Sequence, residues 1–294
     1  MPKKNIILVT GGAGFVGTNL IKFFLKKTKY KIISLDNYSS GSKLNHIKNS
    51  RVKYIRGKTV NISNLIKNSE KIKSVFHFGE FARIYQSFLN MSECIETNNL
   101  GSKAVFNFCL NNKIKLIYSA TSASLGNKGN DKNLSPYAFS KSKNLELLEN
   151  LKKLFNFKYE VIYFYNVYGP NQICSGRMST VIGIFENHYK KGKALPVVKP
   201  GTQTRRFTHI DDTINICFMA WKKNLCRHYS ISHRESFSII KVAKMFKRKI
   251  KYLPRRAGER YASALTNMNL SNKVYKHFGK IKLRDYIKDF IKNN

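Results

Sequence analysis

The chain has 294 residues, enough for one large domain or two small ones, and its 54 Lys and Arg against 16 Asp and Glu give a formal net charge of +38. The basic residues are dispersed and form no run interleaved with aromatic residues, so we expect no nucleic-acid partner despite this charge. No apolar stretch could span a bilayer, no signal peptide precedes the first strand, and the five cysteines lack metal-ligand spacing, which excludes a membrane protein and predicts a cytoplasmic protein with reduced thiols and no metal.

The first predicted elements are a buried strand at Lys4–Val9, a glycine-rich turn and a helix at Gly14–Lys27. This order places a pyrophosphate at the helix N-terminus, where unpaired backbone N–H groups favour an anion. Glycines let the backbone bend sharply and approach the phosphates without an intervening Cβ. The residues of this turn predicted to bind a dinucleotide are Gly11, Gly14, Phe15, Val16 and Gly17.

The second predicted strand, Lys31–Leu35, is followed directly by Asp36. This carboxylate comes about 20 residues after the last glycine of the turn, the spacing expected of the group that binds the adenosine ribose. A carboxylate accepts hydrogen bonds from a ribose 2′-hydroxyl and repels a 2′-phosphate. Asp36, together with its neighbour Asn37, therefore predicts NAD rather than NADP as the cofactor.

Strands and helices alternate over the first two thirds of the chain. The further predicted strands are Val52–Ile55, Ser74–Phe78, Lys115–Ser119 and Glu160–Tyr165, and the further predicted helices are Ile62–Lys67, Cys94–Asn111 and Pro136–Phe155. This alternation predicts an α/β fold with a Rossmann-like, doubly wound parallel sheet. After Pro170 short strands and helices are mixed, and the chain ends in a basic amphipathic helix at Leu283–Ile291, whose apolar face we expect to pack on a smaller lobe.

The predicted helix that begins at Pro136 carries a tyrosine and a lysine one turn apart. Ser135 and Pro136 are a typical helix start, which places Tyr137 and Lys141 on the same helix face. A lysine ammonium beside a phenol favours the phenolate and lowers the pKa of the tyrosine, which makes the tyrosine a usable general base. In isolation the pattern also fits two solvated side chains, but after a dinucleotide-binding turn it favours catalysis.

Eight segments of the chain together resemble one enzyme family, the extended short-chain dehydrogenase/reductases that act as NAD-dependent nucleotide-sugar epimerases and dehydratases. The segments follow the family's order: the glycine turn, 35–41, 77–79, 118–121, the Tyr137 and Lys141 pair, 165–170, 205–212 and 256–259. The resemblance covers essentially the whole chain. It implies an NAD-binding Rossmann domain at residues 1–169 and a mainly substrate-binding, mixed α/β lobe at 170–294, with some of its segments returning to the first domain.

The resemblance also implies how the catalytic residues act. Thr121 hydrogen-bonds the reacting sugar hydroxyl, Tyr137 takes its proton, and Lys141 holds the nicotinamide ribose and keeps the phenol acidic. Tyr137 and Lys141 thereby belong to the cofactor site as well, and Asn98 matches an asparagine that contacts NAD in the family. Family members are homodimers in which helices such as Cys94–Asn111 and Pro136–Phe155 form a four-helix interface, so the same assembly is expected here.

The substrate implied by the resemblance is a nucleotide sugar, with UDP as the expected nucleotide. The residues that match substrate contacts are Asn166, Arg177, Arg205, Arg256, Glu259 and Ser263. Guanidinium groups suit a diphosphate because they can donate two parallel hydrogen bonds. Ser263 occupies the position beside the sugar C2 substituent, where a small residue leaves room for an N-acetyl group, so UDP-N-acetylhexosamines are expected to be accepted alongside UDP-hexoses.

The reaction within the family is inferred from residues that are missing. Sugar 4,6-dehydratases carry an Asp-Glu pair directly after the catalytic threonine, and this chain has Ser122 and Ala123 there. Epimerisation at C4 through a transient 4-ketone needs no additional acid and is therefore the favoured reaction. Glu80 stands where the family has a small residue, and we interpret it as a polar loop residue or substrate contact rather than a substituted acid. A reductase, decarboxylase or dehydratase of the same fold, or a non-catalytic basic binding module, remains an alternative.

Overall fold

The structure is a computed structural model that describes residues 4–125, 133–256 and 274–294. Its first six strands follow the predicted hydrophobic runs to within two residues at each end. They are β1 (Ile6–Thr10), β2 (Lys31–Asp36), β3 (Val52–Arg56), β4 (Ile72–His77), β5 (Lys115–Thr121) and β6 (Tyr159–Phe164). The strands β7–β14 that follow are Val167–Tyr168, Leu195–Val198, Thr204–Arg206, Thr208–His209, His228–Ser232, Ser236–Ser238, Ile250–Leu253 and Val274–Phe278.

The helices flank this sheet and build a smaller lobe. They are α1 (Phe15–Lys27), α2 (Ile62–Leu65), α3 (Ile84–Leu89), α4 (Met91–Ile95), α5 (Ser102–Asn111), α6 (Pro136–Phe155), α7 (Val181–Lys190), α8 (Ile210–Lys223), α9 (Ile239–Met245) and α10 (Leu283–Lys292). Helix α6 has the predicted bounds because the Ser135 hydroxyl accepts a hydrogen bond from the Ala138 N–H and Pro136 occupies the first turn. In the part of the chain that the structure describes, no helix has the length and apolar character needed to cross a membrane.

Eight strands form one sheet in the order β14-β11-β6-β5-β4-β1-β2-β3, and all their pairings are parallel. The chain runs outward from β1 to β3 and then returns to place β4 on the other side of β1. This reversal opens a crevice at the carboxyl ends of β1 and β4, where ligands bind in open α/β sheets. The predicted Rossmann-like, doubly wound parallel sheet is confirmed.

The last third of the chain contributes to both parts of the molecule. Strand β11 pairs with β6, β14 pairs with β11, and α8 packs across this side of the large sheet. The smaller lobe has its own apolar core, in which Leu283 and Ile287 of α10 pack with Val242 and Phe246 from the α9 segment. The tail helix therefore packs on the small lobe as its amphipathic pattern predicted.

The predicted helix Cys94–Asn111 is wrong as a single regular helix. It begins earlier, at Met91, and residues Glu96–Gly101 form a wider π-helical segment between α4 and α5. Gly101, the last residue of this segment, lies against Thr59. A Cβ at residue 101 would lie 2.4 Å from the Thr59 hydroxyl oxygen, so this close approach requires a glycine. The segment lies at the edge of the crevice, which is where π-helical turns often occur.

Candidate functional site

A cleft of about 670 Å³ runs along the carboxyl ends of β1, β4 and β5 and continues between the large sheet and the smaller lobe. Its walls come from the glycine turn, the first turns of α6, and small-lobe segments that include Thr180 and Arg205. The size lies within the range of small-molecule sites. All five residues predicted to bind a dinucleotide in the turn, Gly11, Gly14, Phe15, Val16 and Gly17, line this cleft.

The glycine turn is closed by backbone hydrogen bonds and tight packing. The Gly11 N–H donates to the Leu35 carbonyl at 2.8 Å, and the Gly14 N–H donates to the Gly11 carbonyl at 3.1 Å. Gly11 has a φ of +70°, which glycine adopts without strain. Helix α1 has no side-chain cap, so the backbone N–H groups of its first turn remain for a ligand.

Asp36 is the last residue of β2 and lines the cleft next to Asn37. Its carboxylate accepts hydrogen bonds from the Ala13 N–H at 2.9 Å and the Tyr38 N–H at 2.8 Å. Burial raises the pKa of this carboxyl, and the two backbone donors oppose that effect. A carboxylate has about four acceptor positions, so two remain for the hydroxyls of a ribose, and the residues present fit NAD.

The three predicted catalytic residues meet where β5 ends and α6 begins. Thr121 is the last residue of β5, Tyr137 lies in the first turn of α6, and Lys141 follows one turn later. The Tyr137 hydroxyl lies close enough to the Thr121 side chain for Thr121 to lower the pKa of the phenol. All three side chains line the cleft, so an alcohol bound here could contact the threonine and the phenol at once.

The electrostatics of this group differ from the prediction. Burial raises the pKa of Tyr137 to about 12, although the Thr121 hydrogen bond and the Arg83 charge oppose the rise. The expectation that Lys141 lowers this pKa is wrong for this structure, because the ammonium is directed elsewhere. It donates to the Ser119 carbonyl at 2.6 Å and pairs with the Glu80 carboxylate.

Glu80 lies in the loop after β4, as expected of a polar loop residue, but its side chain is buried and paired. Its side chain is 2% exposed, and the side chain of Lys141 is 4% exposed. The Glu80 carboxylate also accepts hydrogen bonds from the Ser102 hydroxyl at 2.8 Å and the Tyr118 hydroxyl at 3.0 Å. The pairing joins residues 61 positions apart, so no local sequence pattern could reveal it.

Arg83 is a second residue of the site that sequence reasoning missed. Its guanidinium donates to the carbonyls of Ala82 at 2.6 Å, Met178 at 2.5 Å and Ser179 at 3.2 Å. It thereby ties the segment after β4 to the small-lobe loop across the cleft, and its charge acts on Tyr137. Its only signal in the sequence is its position shortly after the 77–79 segment.

The structure does not support direct contact between Asn98 and the cofactor. Asn98 is fully buried, and its amide oxygen accepts from the Phe81 N–H at 2.7 Å. Its amide nitrogen donates to the Phe81 carbonyl at 3.1 Å and the Ser140 hydroxyl at 3.0 Å. These bonds satisfy the side chain inside the protein, where it holds the loop after β4 against α6.

The predicted substrate residues differ in whether they line the cleft and in whether other side chains already pair with them. Asn166, Arg177, Arg205 and Arg256 line the cleft. The Arg177 guanidinium already forms two hydrogen bonds with the Glu93 carboxylate, at 2.7 and 2.8 Å, whereas Arg256 lies over the Tyr85 ring at 5.2 Å. Glu259 and Ser263 lie outside the described residues.

The carboxylates among the described residues that line the cleft are Asp36 and Glu80. Asp36 is held by the Ala13 N–H at the end of β2, and Glu80 is buried and paired with Lys141. Ser122 and Ala123, which follow the catalytic threonine, also line the cleft and carry no acid. The described part of the cleft therefore offers no uncommitted carboxylic acid beside Tyr137.

Comparison with known proteins gives a consistent result. Residues 7–232 match the model of the NAD dependent epimerase/dehydratase family. The chain is 29% identical over 260 residues to ADP-L-glycero-D-manno-heptose-6-epimerase of Brachyspira hyodysenteriae, covering 82% of this chain and 80% of that protein. It is 28% identical over 273 residues to a putative UDP-glucose 4-epimerase of Methanocaldococcus jannaschii, covering 87% of this chain and 88% of that protein.

The fold is also shared with solved structures. DesIV, the dTDP-glucose 4,6-dehydratase of Streptomyces venezuelae, solved with NAD and TYD bound, superposes with a TM-score of 0.86 at 18% identity. The match covers 98% of this chain and 96% of that one. At this identity the likeness concerns the fold alone.

Proposed function

Since the chain belongs to the NAD-dependent epimerase/dehydratase family, we propose that it is a nucleotide-sugar 4-epimerase that works through a transient 4-ketone. The observation that carries this proposal is that Thr121 and Tyr137 lie close together on the cleft lining, with no uncommitted carboxylic acid beside them among the described residues. Epimerisation needs only a base and a hydride acceptor at one carbon. Elimination of water, by contrast, requires a further acid and base.

In the proposed reaction Thr121 hydrogen-bonds the sugar 4-hydroxyl and Tyr137 accepts its proton. NAD, when bound, supplies the acceptor of the hydride from the same carbon and later its donor. Loss of both hydrogens leaves a ketone at C4, which turns over in the cleft and presents its other face. Tyr137 then returns the proton to the oxygen, so neither charge nor redox state changes over the cycle.

Lys141 and Asp36 hold the cofactor in this proposal, with Asn37 and the five glycine-turn residues. We assign residues 1–169 to cofactor binding and 170–294 mainly to substrate binding, with β11, β14 and α8 returning to the large sheet. The substrate diphosphate is assigned to Arg205 and Arg256, which face the cleft from the small lobe. Asn166 completes the described part of the substrate site.

The substrate prediction is tested by incubating the purified protein with UDP-glucose, UDP-galactose, UDP-N-acetylglucosamine and UDP-N-acetylgalactosamine and following C4 inversion by NMR. We expect inversion of the N-acetylhexosamines, because the small Ser263 leaves space beside C2. Ser263→Tyr should cut the rate on the acetylated sugars far more than the rate on plain hexoses, since overpacking cannot be relieved in a filled pocket. Ser263→Ala serves as the control. An unchanged preference in the tyrosine variant would exclude Ser263 as the selective residue, and loss of water from the sugar instead of inversion would favour a dehydratase.

We also propose a homodimer that pairs α6 and the α4–α5 region of two copies. These helices pack beside each other and leave apolar side chains exposed, including Met91 at 57% and Leu100 at 54%. Light scattering at micromolar concentration should therefore give about twice the 34.0 kDa of one chain. Met91→Lys with Leu100→Lys should convert the protein to monomers, whereas Leu44→Lys, an exposed apolar residue elsewhere, should not. A monomeric native protein would contradict the proposal.

A further inference from the structure

Glu80 is a buried charge at a place where the reaction proposed above does not require one. It follows β4, and its carboxylate is surrounded by three donors from three different elements: Ser102 of α5, Tyr118 of β5 and Lys141 of α6. Glu80 borders the cleft, but at 2% side-chain exposure its oxygens are engaged mainly by these neighbours. Burying a carboxylate is costly unless it is paired and hydrogen-bonded, so its value must lie in what it does to these neighbours.

A chain of buried side chains holds Glu80 from the opposite side. The Thr10 hydroxyl bonds His77 Nδ1 at 2.7 Å, and His77 Nε2 bonds the Ser102 hydroxyl at 2.9 Å. Burial lowers the pKa of His77 to about 4, so the imidazole is neutral at physiological pH and adds no charge. The same Thr10 oxygen accepts from the N–H groups of Phe78 and Gly79, which links the carboxylate to the glycine turn.

The arrangement around Glu80 holds the Lys141 ammonium in place. The Lys141 side chain is 4% exposed, and burial lowers the pKa of the ammonium below its ordinary value, although Glu80 opposes this effect and makes the decrease smaller. An ammonium has three donors, and two are used by Glu80 and the Ser119 carbonyl. The direction of the third N–H is then fixed by tetrahedral geometry, which leaves one oriented donor for a ligand.

We propose that Glu80 is a positioning residue that keeps Lys141 a protonated, oriented ammonium and compensates its charge next to Tyr137. The pairing rests on the geometry alone, and only its effect on turnover rests on the proposed function. The charged or titratable groups that act on the phenol are Glu80, Arg83 and Cys94. Those that interact with Glu80 are Lys141, His77, Tyr118, Tyr137 and Cys94. The Glu80 carboxylate thus pairs with the Lys141 ammonium and also acts electrostatically on the Tyr137 phenol.

Glu80→Gln removes the charge while keeping nearly the same shape and one acceptor. Lys141 then loses its proton at a lower pH, because burial is no longer opposed. Tyr137 also ionises at a lower pH, because the carboxylate that disfavoured the phenolate is gone. Both effects move the pH–rate profile in the same direction, toward acid.

The pairing is tested without substrate by ¹⁵N NMR of the lysine side chains, with the Lys141 signal assigned from Lys141→Met. We expect the ammonium signal of the native protein to persist into alkaline solution and that of Glu80→Gln to be lost at least about two pH units lower. Glu160→Gln is the matched control, because Glu160 is a fully buried carboxylate paired with Lys115 at 3.0 Å on another part of the sheet. Early deprotonation of Lys141 in the native protein, or no change in Glu80→Gln, would overturn the proposal.

The consequence for catalysis is tested by the pH dependence of kcat on whichever nucleotide sugar is turned over. We expect the profile of Glu80→Gln to move by about one pH unit or more toward acid, Glu80→Asp to restore most of the native profile, and Glu160→Gln to leave it in place. A lower kcat with an unshifted profile would mean that Glu80 is only structural. Failure of every sugar would refute the proposed function, and the NMR titration would still decide the pairing.

Discussion

Tyr137→Phe is expected to lower kcat by about 100- to 10,000-fold while leaving NAD affinity within about twofold of the native protein. The change removes one oxygen, that of the phenol beside Thr121 on the cleft lining. The other phenol on the described cleft lining is that of Tyr85, whose ring lies under the Arg256 guanidinium at 5.2 Å, and no imidazole lines the cleft among the described residues. The measurement is the initial rate of sugar inversion, with NADH fluorescence reporting cofactor binding separately.

The control for this variant is Tyr163→Phe, which removes the hydroxyl of another buried tyrosine. That hydroxyl hydrogen-bonds His228 Nδ1 at a distance of 3.1 Å, and Tyr163 does not line the cleft. The native rate should rise with pH, because burial raises the pKa of Tyr137 to about 12 and leaves little phenolate near neutrality. The positive charge of bound NAD favours the phenolate and should move this rise to lower pH. Near-native turnover by Tyr137→Phe would remove this residue from the role of base.

Gly17→Ala is expected to lose cofactor binding and to destabilise the fold. A Cβ at this position would lie 2.2 Å from the Gly11 carbonyl oxygen and 2.6 Å from the Gly12 Cα, and both are backbone atoms of the turn that cannot rotate away. We expect a loss of about 3 kcal/mol or more, at the upper end of overpacking costs. For a chain of this size that corresponds to a Tm lower by roughly 6 °C or more, measured by calorimetry.

Gly14→Ala separates the two effects. Its Cβ would meet a single described atom within van der Waals range, the Gly11 carbonyl oxygen at 3.2 Å, so the fold should tolerate it. The methyl group would nevertheless project at the cleft lining where the pyrophosphate is expected, and NAD affinity should fall by at least about tenfold. Equal Tm values for Gly14→Ala and Gly17→Ala would contradict the packing argument.

The elements that sequence analysis located correctly are those determined by local rules. Helix α6 begins at Pro136 because Ser135 can cap it, and β1 is a short apolar run before glycines. The order of strands followed from their alternation with helices, since parallel strands require crossover connections. The glycine turn and Asp36 were predictable for the same reason, because their spacing along the chain carries the signal.

Contacts between distant parts of the chain were not predictable in this way. The pairing of Glu80 with Lys141 depends on how β4, β5 and α6 pack, and the periodicity of none of them contains it. Residues 96–101 contain one apolar side chain, that of Leu100, so the apolar periodicity could not distinguish a π-helical turn from an α-helical one. The raised pKa of Tyr137 likewise reflects burial, which the neighbouring residues in the sequence do not report.

The placement of β14 at the edge of the large sheet has a consequence for synthesis of the protein on the ribosome. Val274–Phe278 pairs with β11, so the sheet acquires this edge strand only after residues 1–273 have emerged. Until then the edge of β11 that β14 will occupy is unpaired and can pair with strands of other molecules. The pairing of β11 with β14 joins distant parts of the chain, which slows folding. A chain truncated before residue 274 should therefore keep every residue of the Thr121, Tyr137 and Lys141 group and still aggregate during expression.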